Sequence, residues 1–321
     1  MRCHGDCTTA TFQTTLIIQT HLRPVALQGD TLASCDDVAD TVIQNLKDGT
    51  SATLHNAPVS GERAWQVILF LRLQSILRLS KFQLDRCVQV VFAFKSILVI
   101  RARSIHLFPE PILNKSMPLY AAIARHSFGW VDGISVSMAP RSNPVDICDH
   151  PSHSVISILL RAESDNPWSQ EQHNLRFFTL SPNPHYDLAL RHDNQSSANI
   201  PPYLFPPLLT AEVSSIHGSL RCADIKLQPY GTAVWVHPRN RADAGLIPDD
   251  VNPQGIPHTP AASERLVAAV FPGALSQTGT GGGAKTLWTN ESNDWTCLDY
   301  NEELGRIALG SRSGSVTVLE L

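Results

Sequence analysis

The chain has 321 residues, 43% of them hydrophobic, with a formal net charge of −4 and a pI near 6.3. That is enough apolar material for one large core or two ordinary ones, and it sets aside a chain disordered throughout. The acidic balance argues against nucleic acid as the main partner, because phosphate binding needs a surplus of Lys and Arg, and acidic substrates are not favoured either.

With 22 prolines and 18 glycines and few long runs of Ala, Leu, Glu and Lys, the composition predicts a mainly β chain built from short strands and many turns. Residues 1–85 read as an N-terminal segment of low order or partly helical character. Its clearest helix candidate spans 35–49, where Asp36 or Asp37 caps the start and Gly49 stops it. The most apolar region, 67–108, is broken by Arg72, Arg78, Lys81, Asp85, Arg86, Lys95, Arg101 and Arg103, so no membrane span is expected. Within it, "WQVILFLRLQSILRLSK" (65–81) fits a helix packed on the core, with contact to a lipid surface as the alternative use.

From Cys87 to the end the pattern is short β runs, predicting a second domain over 86–321. "CVQVVF", "SILVIRA" and "SIHLF" read as consecutive antiparallel strands closed by Pro109 and Pro111, and 114–125 reads as irregular. "SFGWVDGISVSM", "SVISILLRAE" and "NLRFFTL" continue the series before an exposed insertion at 181–207. "LLTAEVSSI", "SLRCADIKLQ" and "GTAVWVHP", with Gly231 at the turn, follow, then a polar insertion at 239–264, "RLVAAVF" and a glycine-rich connection. Trp130 and Trp235 sit within β runs and read as core.

The end of the chain carries the clearest signal. "WTCLDY", "RIALGS" and "SVTVLEL" are three strands joined by the turns "NEELG" and "RSG", and Gly310-Ser311 before Gly314 and alternating Val316 and Val318 resemble the inner strands of a WD-repeat propeller blade. Leu319-Glu320-Leu321 sits where that family often places Trp-Asp, and neither that dipeptide nor a Gly-His opening is present. Taken with "ILVIRARSIHLFPEP", "ISILLRAESDNPW", "SSIHGSLRCADIKL" and "GTAVWVHPR", the region resembles the C-terminal, WD-like β regions of fungal F-box proteins. The resemblance implies a divergent or partial β-propeller-like platform that binds protein partners, a ubiquitin-ligase adaptor and a substrate protein, without catalytic residues. About twelve strand candidates make roughly three four-stranded blades, whereas closed propellers hold about four to eight.

Several motifs test for chemistry. Gly279 to Thr286, "GTGGGAKT", has Ala284 where a phosphate loop needs its second glycine, and no helix is expected after Lys285, so it reads as a linker. "CDHPSH" gathers Cys148, Asp149, His150 and His153, but no second ligand pair at zinc spacing accompanies it. A nucleotide- or metal-dependent enzyme using one of these is the alternative class. "GSRSG" places Arg312 where a nucleophile elbow needs Ser and reads as a hairpin turn, and the acid pairs, such as Glu302-Glu303, read as solvated surface. No cofactor is expected. Seven scattered cysteines and an N-terminus without a secretory pattern predict reduced thiols in an intracellular protein, cytoplasmic or nuclear. The residues best placed to contact a partner are Asn166 and Trp168 on the loop "SDNPWSQ", and Arg239.

Overall fold

A computed structural model of the chain describes residues 20–36, 40–55, 86–129, 131–138, 154–162, 173–186, 200–215, 218–219, 222–237, 239–240, 263–272 and 283–321. Antiparallel meanders follow one another along it. Sheet I holds β1 (Arg23–Gln28), β2 (Thr31–Cys35), β3 (Asp40–Asn45) and β4 (Ser51–His55). Sheet II begins with β5 (Cys87–Ala93), β6 (Ser96–Arg101) and β7 (Ser104–Pro109). The chain then crosses back to lay β8 (Leu119–Ala121) parallel to β4, and returns as β9 (Ala124–Ser127) on the outer side of β7. Sheet III holds β10 (Val131–Met138), β11 (Ile156–Ala162), β12 (His173–Leu180) and β13 (Leu208–Ser215).

A short ribbon pairs β14 (Gly218–Ser219) with a strand beyond sheet IV's first two members, β15 (Ile225–Leu227) and β16 (Thr232–His237); that ribbon partner is β17 (Arg239–Asn240). Sheet IV is completed by β18 (Glu264–Val270) and β19 (Lys285–Asn290), and sheet V holds β20 (Trp295–Asn301), β21 (Arg306–Ser311) and β22 (Val316–Glu320). Gly231 shapes the β15–β16 turn: its φ of +95° suits only glycine, and an added Cβ would lie 2.8 Å from the Phe271 carbonyl oxygen.

The sheets stack face to face, which explains why β6, β11 and β16 are apolar at nearly every position. On a strand, alternate residues point to opposite faces, so a strand between two sheets feeds two cores. Leu98 and Ile100 of β6 join Ile156, Ile158 and Tyr203 between sheets II and III. Ile97 and Val99 turn the other way, to Cys35, Ile43 and Leu54 of sheet I. Likewise Ala233 and Trp235 of β16 pack with Leu159, Leu175 and Phe177 of sheet III, while Val234 and Val236 pack with Trp295, Leu298 and Ile307 of sheet V. Among the described residues, no core cluster joins sheet V to sheet I. This is the mainly β, propeller-like array expected from the sequence, except that it includes sheet I, which falls in the segment read as poorly ordered or partly helical.

The first strand of each sheet lies beside the first strand of the next, from β1 through β5, β10 and β15 to β20. These strands have a sheet partner on one side only. Side chains bridge the other. Arg23 donates to the Cys87 carbonyl. Gln89 of β5 grips Val136 of β10 as a peptide would, donating to its carbonyl at 3.1 Å and accepting its N–H at 3.1 Å. The Ser135 hydroxyl accepts the Leu227 N–H at 2.9 Å. Beyond β15, Asp224 accepts the Leu298 N–H at 2.9 Å and Gln228 donates to the Tyr300 carbonyl at 2.8 Å.

Three local expectations are corrected. The helix read over 35–49 is instead the strand β3, between the end of β2 and the turn to β4: β3 shows period-two burial, with Thr41 and Ile43 inside, and the Asp36 carboxylate accepts the Asp40 N–H at 2.8 Å. The Asp-rich start fits a turn as well as a helix cap, and burial against sheet II decides. The irregular stretch 114–125 contains β8 and the start of β9, too short to show alternation. The insertion at 181–207 is not wholly exposed, because Tyr203 is fully buried between sheets II and III and its hydroxyl accepts the Phe94 N–H at 3.4 Å. Over 86–321 the strands were undercounted, and among the described residues four main sheets replace about three there, with sheet I added upstream. Trp130 and the segment 65–81 lie outside the described residues.

Gln89→Ala is expected to lower stability by about 1–3 kcal/mol, since it strands the Val136 N–H and C=O. Urea denaturation checks this, with Val316→Ala, on an exposed face, expected to stay within about 0.5 kcal/mol of the parent.

Candidate functional site

The array has a polar rim where the first strand of each sheet begins and the second ends. Register sets Arg23 opposite Cys35, Cys87 opposite Arg101, Gly133 opposite Arg161 and Trp295 opposite Ser311. The apolar cores end here, and the residues capping them are charged or polar.

Between sheets I and II the cap is Cys35, Cys87, Arg23 and Arg101. The Arg23 guanidinium also donates to Cys35 Sγ at 3.6 Å. A hydrogen bond with Cys35, then burial, push the Cys87 thiol up, so it is no thiolate nucleophile. Nearby, His106 Nε2 lies 2.9 Å from Ser104 Oγ. Burial, then the guanidinium charges of Arg101 and Arg125, drive this imidazole down to about 3. A general base works best with a pKa near the operating pH. The Ser104–His106 contact is structural, since among the described residues no group orients the buried Nδ1.

Between sheets III and IV, Arg161 is almost completely buried and donates through Nε to Asp132 at 2.7 Å and through Nη2 to the Ala223 carbonyl at 3.1 Å. Trp235 and His237, two positions apart on one face of β16, set their rings 5.9 Å apart. Burial, then Arg161 and Arg265, lower His237 to about 4, so it is neutral at neutral pH. Between sheets IV and V, buried Glu264 accepts the Trp295 N–H at 3.2 Å and Asn290 Nδ2 at 3.4 Å. Cys222 is pushed up to about 12, chiefly by burial.

On the opposite rim a cleft of about 140 Å³ lies between sheets I and II, lined by Thr31, Ile43, Phe92, Ser96, Glu110 and Leu113. It is smaller than the several hundred Å³ that enclose a nucleotide-sized ligand.

The positions singled out from sequence fall as follows. Asn166, Trp168 and the cluster from Cys148 to His153 lie outside the described residues. Arg239 opens the two-residue β17, paired with Ser219. In the glycine loop, Gly279 to Gly282 lie outside the described residues, and Lys285 opens the exposed strand β19 where a phosphate loop would begin a helix. "GSRSG" is the β21–β22 turn, closed by the Ser315 carbonyl accepting the Ser311 N–H at 2.9 Å. Trp235 is core, as read. The rim roles of Arg161 and His237 were missed, though each ends an apolar run with a polar residue, "ISILLR" and "TAVWVH".

No family model matches the chain, and no curated protein does. Among solved structures, the chain is similar to the WD40 domain of Pan2 from Neurospora crassa, with a TM-score of 0.40 and 7% identity over 92% of this chain and 61% of that one. It is also similar to BamB from Moraxella catarrhalis, with a TM-score of 0.32 and 8% identity over 92% of this chain and 83% of that one. The chain thus spans 61% of the length of the Pan2 chain it matches.

The two most strongly depressed histidines, His237 and His106, set an acid limit. Each binds its proton less readily folded than unfolded, so their contribution is complete above the ordinary 6.5 and is lost as pH falls towards about 4 for His237 and about 3 for His106. Urea midpoints measured across pH 7 to 4, roughly the window between the usual His value and the lowered ones, are expected to fall. His237→Gln is expected to flatten that fall.

Proposed function

We propose that the chain is a non-catalytic protein-interaction module. One observation carries this reading. The connection from β7 through β8 to β9 exposes Ile112 (79%), Met117 (48%), Leu119 (66%) and Ile123 (40%) within a short stretch of chain. Single exposed apolar residues are ordinary, but grouped ones mark surfaces that a partner covers. The stretch is anchored rather than loose: Asn114 exchanges both backbone hydrogen bonds with Ser51, the Thr53 N–H donates to the Pro118 carbonyl at 2.9 Å, and the Ile112 N–H donates to the Tyr120 hydroxyl at 2.8 Å. A fixed apolar patch forfeits less ordering entropy on binding than a mobile one.

The finer reading is a substrate-recognition part of an F-box-type ubiquitin ligase, with Asn166, Trp168 and Arg239 as contact residues. It rests on the resemblance of the β motifs to fungal F-box proteins. Free thiols at Cys35, Cys87, Cys222 and Cys297 support an intracellular setting.

The test compares the tagged chain with an Ile112→Ser, Leu119→Ser double variant by quantitative mass spectrometry of co-purified proteins. A defined partner set lost from a variant of unchanged melting temperature is the expected result. An identical partner set, or none in either case, overturns the role of this surface. Recovery of a ligase adaptor and cullin supports the finer reading, and their absence from a reproducible partner set removes it.

A further inference from the structure

The rim end of the interface between sheets III and IV contains more donors than the chain satisfies. Arg161 Nη1, Trp235 Nε1 and His237 Nε2 are each buried and have no hydrogen-bond partner among the described residues; the first two are donors, and the neutral His237 ring donates through Nε2 in one of its two tautomers. They belong to facing surfaces of one interface. Arg161 follows Leu159 on the face of β11 turned to sheet IV, and Trp235, a neighbour of Leu159 in the shared core, is followed on the same face of β16 by His237. Arg161 is close enough to depress the titration of His237. Buried N–H groups are nearly always paired, so unpaired ones grouped along one interface point to an acceptor from outside the chain.

The charge balance gives the acceptor's sign. Arg161 has one carboxylate, Asp132, on Nε, while Nη2 is held by a neutral carbonyl. Across the β16–β18 register, Arg265 stands opposite His237 and is exposed. Arg161 and Arg265 are the charged groups that act on the His237 ring, on a chain whose net charge is −4. His237 is the part-exposed member, and the site meets solvent there. Arg161 is pre-set by its two existing bonds, so a guest pays little to order it. A guanidinium edge beside an indole N–H suits a planar, singly charged oxygen acid, which accepts from both at once.

We propose that Arg161, Trp235 and His237 form a carboxylate-binding site, which takes the side chain of an Asp or Glu in a partner segment or a free small carboxylate. The proposal rests on the reading of the chain as a binding module, and it names the chemistry of one contact. It also qualifies the expectation that acidic ligands are disfavoured, because the local charge differs from the total.

The test is a titration of the full chain followed by amide and indole nitrogen NMR, with the Trp235 indole signal assigned by its disappearance in Trp235→Phe. Sodium acetate is compared with sodium chloride at equal ionic strength. A saturable shift of the Trp235 signal with acetate alone is expected, weakened about tenfold by His237→Ala, the loss of one hydrogen bond to a charged acceptor. Arg161→Lys gives a second variant that keeps the charge and loses the fork. A capped Ala-Glu-Ala peptide that binds more tightly than acetate, with no saturable binding by its Gln counterpart, assigns the side chain of a partner as the source. Peptide and acetate binding alike assign a free carboxylate. A linear drift, or equal shifts with chloride, overturns the proposal. The double variant at Ile112 and Leu119 lies elsewhere, so its partner loss stands or falls separately from this titration.

Discussion

The constraint on which the array depends is the unpaired inner edge of each sheet. A strand with one neighbour presents a row of N–H and C=O groups that need partners or water. Here the sheets lie so close that water cannot serve every group. Gln89 therefore supplies Val136 with an artificial peptide partner, Ser135 takes the Leu227 N–H, and Asp224 and Gln228 serve Leu298 and Tyr300. These bonds fix how far each sheet slides along the next. Apolar packing alone fixes that poorly, because a face of Val, Ile and Leu fits its neighbour at several offsets.

The two-faced strands follow from the same stacking. Once sheets II, III and IV are each covered on both sides, their central strands must be apolar at odd and even positions alike, as β6, β11 and β16 are. The end sheets escape this rule. Val316 and Val318 of β22 remain exposed because no sheet covers that face among the described residues, and Arg306 and Glu320 pair across it at 2.9 Å. Such a surface ion pair adds little stability. Its charge does discourage the addition of a further strand at the edge.

The mainly β class and most strands after residue 86 were legible, because stacked sheets write their central strands as short continuous apolar runs and the last sheet alternates cleanly. Sheet I was hidden by composition. "CDDVADTVIQNLKDG" carries capping and stop residues that suit a helix, and only its packing against Val90 and Val99 of sheet II selects the strand form. β8 was invisible for another reason: its partner, β4, is far upstream, and three residues carry no period. The rim site was half legible. "ISILLR" and "TAVWVH" announced strands ending in a polar residue, but nothing local says that Arg161 and His237 fall on facing surfaces of one interface, since their strands belong to different sheets.

The rim also explains how polar groups survive inside an apolar stack. A buried guanidinium is costly unless its donors are met, and Arg161 has Asp132 on Nε and the Ala223 carbonyl on Nη2, which leaves Nη1 for the guest proposed above. That pairing spans two sheets, because Asp132 begins sheet III while Ala223 leads into sheet IV. Sliding sheet IV by one residue would take the carbonyl away and leave charge in a dry interface, which is a larger penalty than the apolar contacts would register. Glu264 acts in the same way one interface further on, holding the Trp295 N–H of sheet V. Polar residues at the strand ends thus set the offset of the sheets, and the apolar middles supply the cohesion. Once the offset is set, the strand-end groups of neighbouring sheets come together along one rim.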